Sequence, residues 1–176
     1  MKINVPLSNE FGWRYFCING YNLWFKGYLM NINLNRSLDH IQILCSKKDI
    51  DLTEIAEWIR NLRGHFAIVL YDSEKLFCCV DHVRSIPLLY SHNANEISIS
   101  SNTTNVSEKS VSDSKDYNKL AAIEIAMSGY TIGNKTLYSN IFQLQAGECL
   151  IAHRNKITVK CYYRYSPWNI VNKDKN

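Results

Sequence analysis

The sequence contains no long apolar run. Stretches such as FAIVLY, residues 66–71, span six residues, whereas a membrane-crossing helix needs ~20. The opening MKINVPLSNEFGW has no apolar h-region, which excludes a secretory signal. A soluble, cytoplasmic protein with no membrane partner is therefore expected. Dense basic stripes are also missing: the formal charge is +4 and the pI about 8.7, so no nucleic-acid partner is expected. There is no pair of CxxC motifs and no HxxxH. The six cysteines, Cys17, Cys45, Cys78, Cys79, Cys149 and Cys161, thus read as free thiols rather than disulfides. Cys78 and Cys79 are neighbours on an expected strand and point to opposite faces, so with His82 they do not make a metal site. Neither a metal nor a cofactor is expected. With 46% hydrophobic and 20% charged residues, the 176-residue chain reads as one globular domain over 1–165 with a polar tail over 166–176.

Local patterns give an order of strands, helix, strands, helix, strands. WRYFCINGYNLWFKGYLMN is a hairpin, because Asn19-Gly20 accepts positive φ at both turn positions. DLTEIAEWIRNL is a helix with Ile55, Trp58, Ile59 and Leu62 on one face, capped by Asp51 or Thr53 and ended by Gly64. HFAIVLYD and KLFCCVD are near-continuous apolar strands, as a sheet covered on both faces requires. LLYSH and EISISS pair across residues 93–95, and residues 102–114 form a polar loop. DYNKLAAIEIAMSGY is a helix with Leu120, Ile123 and Met127 turned inward and Gly129 as its C-cap. ECLIAHR and KITVKCYYRY make a closing hairpin. Two covered sheets with a few helices form a layered α/β or α+β sandwich.

Two separated stretches resemble one family. RGHFAIVLYD with VDHVRSIPLLYS is similar to the glutaminase-domain segment of asparagine synthetase-related proteins, with G-x-F-A followed by D-x-x-x-x-x-P-L-x-Y. The matching residues are Gly64, Phe66, Ala67, Asp72, Asp81, Pro87, Leu88 and Tyr90. The stretch 128–165 resembles the family's T-L-(F/Y)-x-x-I-x-x-L-x-x-G-(E/H) and final hairpin, through Gly129, Tyr130, Thr136, Leu137, Ile141, Leu144, Gly147, Glu148 and Tyr163. Order and spacing agree from about Trp24 to Tyr165. The resemblance implies an α+β fold of the N-terminal-nucleophile (Ntn) hydrolase type, a four-layer α-β-β-α sandwich, here trimmed at the N-terminus. In the family it hydrolyses glutamine and passes ammonia to an ATP-dependent synthetase domain.

The same resemblance makes absences visible. The family's nucleophile is an N-terminal cysteine whose free α-amine is the base. Here Lys2 follows Met1, so Met1 is expected to stay. Cys17 is an unsuitable substitute, because Lys26 follows it by only nine positions, leaving no room for the segment with the carboxylate-binding arginine. The family's Asn-Gly-Glu-(Ile/Leu)-Tyr-Asn, which supplies the oxyanion hole, corresponds to KGYLMN. Gly27 and Asn31 persist, but Lys26 takes the asparagine position, and a flexible cation does not replace a fixed amide donor. SKKDIDLTE offers Asp49 and Asp51 but no clear match to the family's Asp-Thr-Glu. No catalytic residue is expected; Lys26, Gly27 and Asn31 mark a vestigial pocket.

His65 reads as structural. Asp81 and Arg84 order the 81–87 loop by a local ion pair and hydrogen bonds, or else meet a partner. The aromatics from Trp13 to Tyr28 fill the hairpin faces rather than stack on bases, and Glu54 and Glu57 are a solvated face. With no Ser-Gly-Gly-x-Asp pyrophosphate loop, an ATP site is expected on a separate synthetase-like chain or on the rest of a longer one. The expected role is a structural or docking subunit for such an amide-forming partner, or a homo-oligomer. Docking candidates are Tyr130, Ile132, Leu137, Tyr138 and Phe142. An active amidohydrolase with an unrecognised nucleophile and a small-molecule-binding domain are the alternatives.

Overall fold

A computed structural model describes residues 1–46, 52–103 and 117–166. Most of the expected loop at 102–114, the acids Asp49 and Asp51, and nearly all of the 166–176 tail lie outside the described residues.

The central element is a six-stranded antiparallel sheet. It contains β2 (Arg14–Ile18), β3 (Tyr21–Leu29), β4 (Gly64–Tyr71), β5 (Lys75–Val80), β9 (Glu148–His153) and β10 (Lys156–Cys161), in the order β10-β9-β5-β4-β3-β2. Asn19 (φ 49°) and Gly20 (φ 83°) close the β2–β3 hairpin with Ile18 opposite Tyr21, the turn that the sequence demands. Arg154 (φ 48°) and Asn155 (φ 64°) do the same between β9 and β10. The two apolar runs are the adjacent central strands β4 and β5.

Both faces of this sheet are covered, and side-chain alternation divides them. Phe66, Ile68 and Leu70 of β4 face one way, with Leu23, Phe25, Phe77, Cys79 and Cys149. They pack against α1 (Leu34–Ser46) through Ile41, Leu44 and Cys45, and against α2 (Leu52–Arg60) through Ile55 and Ile59. Ala67 and Val69 face the other way, with Leu76, Cys78, Val80 and Leu150. They meet Tyr90, Ile97 and Ile99 of a second sheet and Leu88 just before it. Cys78 and Cys79 are on opposite faces, as expected. The second sheet has four strands, β1 (Lys2–Asn4), β6 (Leu89–His92), β7 (Glu96–Ser100) and β8 (Phe142–Gln143), in the order β1-β7-β6-β8. The result is a mixed α/β domain of two stacked sheets with three helices among the described residues.

Several expectations need correction. α1 is absent from the sequence reading, although Leu34, Leu38, Ile41 and Cys45 repeat at helical spacing. β1 was not expected either; it pairs in parallel with β7, so its partner lies more than 90 residues away. Gly64 does not cap α2. It opens β4 at φ 147°, where a Cβ would sit 2.3 Å from the Tyr28 carbonyl oxygen.

The helix α3 (Lys119–Ser128) departs most. Asn118 caps it through the Ala121 amide (3.0 Å), and Gly129, in the left-handed conformation, closes it. Yet Leu120, Ile123 and Met127 face solvent, at 56%, 55% and 83% exposure, and Ala121 is the buried residue of the helix. The helix is held from one side. Glu124 accepts from the Ile132 amide (2.9 Å) and pairs with Lys135, which holds its carboxyl below the ordinary glutamate range.

Candidate functional site

Of the three residues expected to mark a pocket, Lys26 lines a cavity and Gly27 and Asn31 do not. A cavity of about 250 Å³ lies where the residues before β2 meet the 81–87 loop. It is lined by Lys26 and Trp13, by Leu7, Ser8 and Phe11 of the N-terminal segment, and by Ile86, Pro87 and Ser101, among others. β1 carries the N-terminal segment there by its pairing with β7, and Leu7 and Trp13 join the core between the sheets. Gly27 stands at a close approach: with φ 103°, a Cβ would lie 1.9 Å from the His65 carbonyl oxygen. Its own carbonyl accepts from Arg14 Nη2 (2.9 Å), and that guanidinium also sits over the Phe25 ring.

Lys26 is the titratable side chain of this lining; no thiol, carboxylate or imidazole joins it among the described residues. Its two serine hydroxyls each accept one hydrogen bond. Ser8 Oγ accepts from the Glu10 amide (3.2 Å), and Ser101 Oγ accepts from the Trp13 indole (3.3 Å). Cys17 lies opposite Asn22, four residues along β3 from Lys26, or roughly 13 Å at strand spacing. Cys45, Cys78, Cys79 and Cys149 are buried, and desolvation raises every one of their pKa values, for Cys45 and Cys149 to about 11. A thiol held protonated is a poor nucleophile.

Asn31 does not reach the cavity. It clamps the end of α2 instead, donating to the Asn61 carbonyl (2.9 Å) and accepting from the Arg63 amide (2.8 Å). Asp81 orders the 81–87 loop, but not through Arg84. The carboxylate is fully buried and accepts from the amides of Phe66 (3.1 Å), Val83 (2.9 Å) and Ser85 (3.0 Å), and from Ser85 Oγ (3.3 Å). Arg84, left-handed at φ 57°, reaches away to Gln143 Oε1 (2.6 Å). The expected ion pair fails because backbone amides two and four residues on are geometrically closer to an aspartate than a neighbouring long side chain.

The expected docking residues separate into two groups. Phe142 lies in β8 against Tyr90, and Tyr138 packs on Leu89 and Ile141, so the fold claims both in part. Tyr130, Ile132 and Leu137 are exposed at 65%, 64% and 39%. Sequence reasoning missed their larger neighbour, the α3 face. The signal was present: Leu120, Ile123 and Met127 repeat at helical spacing, but the pattern alone does not say which side is covered.

Residues 53–163, more than half of the chain, match the sequence profile of the glutamine amidotransferase domain. The chain belongs to the glutamine amidotransferase domain family. Among solved structures, this amidotransferase domain is similar to one described as the allosteric regulatory enzyme of purine biosynthesis. The TM-score is 0.51 at 15% identity, covering 86% of this chain and 31% of that one, so what is shared is the fold. Glutamine phosphoribosylpyrophosphate amidotransferase from B. subtilis, in complex with ADP and GMP, gives a TM-score of 0.47 at 11% identity, over 86% of this chain and 32% of that one. The amidotransferase domain thus spans about a third of the length of the solved proteins it resembles. No curated protein sequence matches it. No helix among the described residues is long and apolar enough to cross a membrane.

Proposed function

We propose that this glutamine amidotransferase domain keeps the Ntn-type scaffold, a four-layer α-β-β-α sandwich, and has lost its hydrolytic chemistry. It serves as the structural or docking unit for an ATP-dependent, asparagine synthetase-like amide-forming partner. The observation that carries this reading is the cavity at Lys26: among the described residues lining it, Lys26 is the one with a titratable side chain. Amide hydrolysis needs a nucleophile, a base to activate it and fixed donors for the developing oxyanion. Lys26 presents a flexible cation, no carboxylate or imidazole among the lining residues is there to activate Ser8 or Ser101, and the exposed thiol of the same hairpin, Cys17, is roughly 13 Å away. The test is ammonia release from glutamine by the purified chain. Background rates are expected. Release above background that a thiol reagent abolishes would overturn the proposal.

The docking part rests on α3. Leu120, Ile123 and Met127 form one face at i, i+3 and i+7, and Tyr117, Tyr130 and Ile132, close by in the chain, are exposed as well. Exposed large apolar side chains gathered on one helix and its flanks suit a surface that a partner covers. The occupant we assign is the synthetase-like chain, because about two-thirds of the matched enzyme lies outside the unit shared with this one. Mixing with a synthetase-like domain encoded beside it is expected to give a complex by sedimentation. The variant Leu120→Gln/Ile123→Gln/Met127→Gln is expected to keep its unfolding midpoint, since exposed substitutions change stability by about 0.5 kcal/mol or less each, yet lose the complex. A complex that survives the triple variant, or a monomer that ignores the synthetase domain, counts against it.

One contact favours the alternative of an active hydrolase. Ser85 Oγ touches His65 Nδ1 at the mouth of the 81–87 loop. In a catalytic triad the carboxylate orients the imidazole; here Asp81 binds the serine instead. Ammonia release that disappears in Ser85→Ala would establish this alternative.

A further inference from the structure

A second cleft, of about 500 Å³, lies away from the Lys26 cavity. Its seven lining residues come from two segments a hundred positions apart: Arg60, Asn61 and Arg63 after α2, and Cys161, Tyr162, Tyr163 and Arg164 at the end of β10. Three are arginines and none is acidic. The whole chain, with 20 Lys and Arg against 16 Asp and Glu, carries a formal charge of only +4, so a lining with three cations and no carboxylate is a local imbalance of charge. Among the described residues no carboxylate pairs with any of the three. Arg63 Nη1 instead contacts the Arg60 carbonyl and His82 Nδ1, both at 3.4 Å. His82 backs the cleft, stacked on Tyr163 with ring centroids 3.7 Å apart, and its Nε2 is buried without a partner.

Both walls are fixed by hydrogen bonds that do not involve the guanidinium groups. Asn31 grips Asn61 and the Arg63 amide from below. On the other side the Tyr162 and Tyr163 amides both donate to the Gly147 carbonyl (2.8 and 3.1 Å), and the Tyr162 hydroxyl donates to the Val80 carbonyl. Like charges collected on a rigid frame repel one another unless an anion lies between them. Guanidinium forks match phosphate oxygens in pairs. The volume falls in the range of small-molecule sites, about 300–1,000 Å³, and exceeds what a lone phosphate needs.

We propose that this cleft is a binding site for a phosphate-bearing small molecule of nucleotide size, its phosphates held by Arg60, Arg63 and Arg164 and its remaining body set against Tyr162 and Tyr163. The site is independent of the Lys26 cavity and of any glutaminase chemistry.

Calorimetric titration of the full chain at low salt tests it, with inorganic pyrophosphate and ATP as probes. Saturable binding with one site per chain is expected, ATP tighter than pyrophosphate. Arg63→Gln and Arg164→Gln are each expected to weaken both by about tenfold, equal to about 1.4 kcal/mol. Arg63→Lys, which keeps the charge but loses the fork, is expected to fall between. Lys119→Gln on α3 removes the same charge elsewhere and is expected to leave affinity unchanged. If an arginine variant fails to fold, the other and the lysine replacement carry the test. Absence of saturable heat with either probe overturns the proposal. Equal weakening by Lys119→Gln also overturns it, since binding would then follow net charge alone.

Discussion

Removing the carboxylate of Asp81 should destabilise the domain more than any other single polar substitution. The side chain is fully buried at the end of β5, and its two oxygens are divided. Oδ2 accepts from the Phe66 and Ser85 amides, and Oδ1 from the Val83 amide and Ser85 Oγ. Asp81→Ala orphans three backbone N–H groups at once. The Phe66 amide lies inside the sheet and bears the full penalty of a buried unmet donor, about 1–3 kcal/mol. Val83 is 67% exposed, so water can reach its neighbourhood, and the Val83 and Ser85 amides bear only part of that penalty. The sum is about 3–5 kcal/mol, a large share of the ~5–15 kcal/mol typical of a whole domain. Asp81→Asn should cost less. Its carbonyl can keep the Phe66 and Ser85 amides while its NH₂ donates to Ser85 Oγ, leaving the Val83 amide as the main loss, about 1–2 kcal/mol. Urea denaturation checks both. With a slope of about 2 kcal/mol per molar, the midpoint should fall by about 2 M for alanine and under 1 M for asparagine. Because the 81–87 loop supplies Ile86 and Pro87 to the Lys26 cavity and His82 to the arginine cleft, pyrophosphate affinity should fall in the alanine variant as well. An alanine variant within about 1 kcal/mol of the parent would refute this account of the loop. Equal losses in both variants would show that charge, not acceptor geometry, is what matters.

Gly27→Ala should destabilise by several kcal/mol, because the new Cβ meets the His65 carbonyl at 1.9 Å in a backbone that cannot yield without separating β3 from β4; loss of the native near-ultraviolet spectrum at ambient temperature is the readout. Native labelling with a thiol reagent at neutral pH should modify Cys17 and Cys161, both exposed, and spare Cys45, Cys78, Cys79 and Cys149 until the chain unfolds. The buried thiols should also make stability fall in alkali. Their folded pKa values are raised, so the protonated native form is fully favoured below about pH 9 and the advantage is lost as pH climbs to about 11, where Cys45 and Cys149 ionise. A flat unfolding midpoint between pH 8.5 and 11 would contradict this.

The strands were legible because local pattern and tertiary role agree in them. FAIVLY and LFCCV are apolar on both sides because both sides are covered, and Asn19-Gly20 can hardly be anything but a tight turn. α1 was harder to read because Asn35, Arg36, Ser37 and Asp39 dilute its apolar stripe. The face of α3 was read inside out for a physical reason. It carries apolar residues nearly all round, so periodicity cannot choose a side, and the covered side turns out to be marked by the small Ala121 rather than by Leu120 or Met127. Of the residues lining the Lys26 cavity, the family motif pointed to Lys26 but not to Leu7, Phe11 or Trp13. They arrive through β1, whose only guide is a parallel pairing with a strand more than 90 residues downstream. The arginine cleft was invisible for the same reason, its walls being joined only through the sheet.

The position of β5 bears on how the chain comes to be folded at all. This strand is wholly buried from Leu76 to Val80, and one of its two neighbours, β9, begins only at Glu148. While the chain is being synthesised, β2 to β5 can pair as they emerge, but LFCCV remains an uncovered edge until some seventy further residues have been made. Exposed apolar edges recruit strands from other molecules. Folding of the main sheet is therefore bound to the completion of the last hairpin, and nascent chains arrested short of it should be the species that chaperones hold and that aggregate when chaperones are scarce.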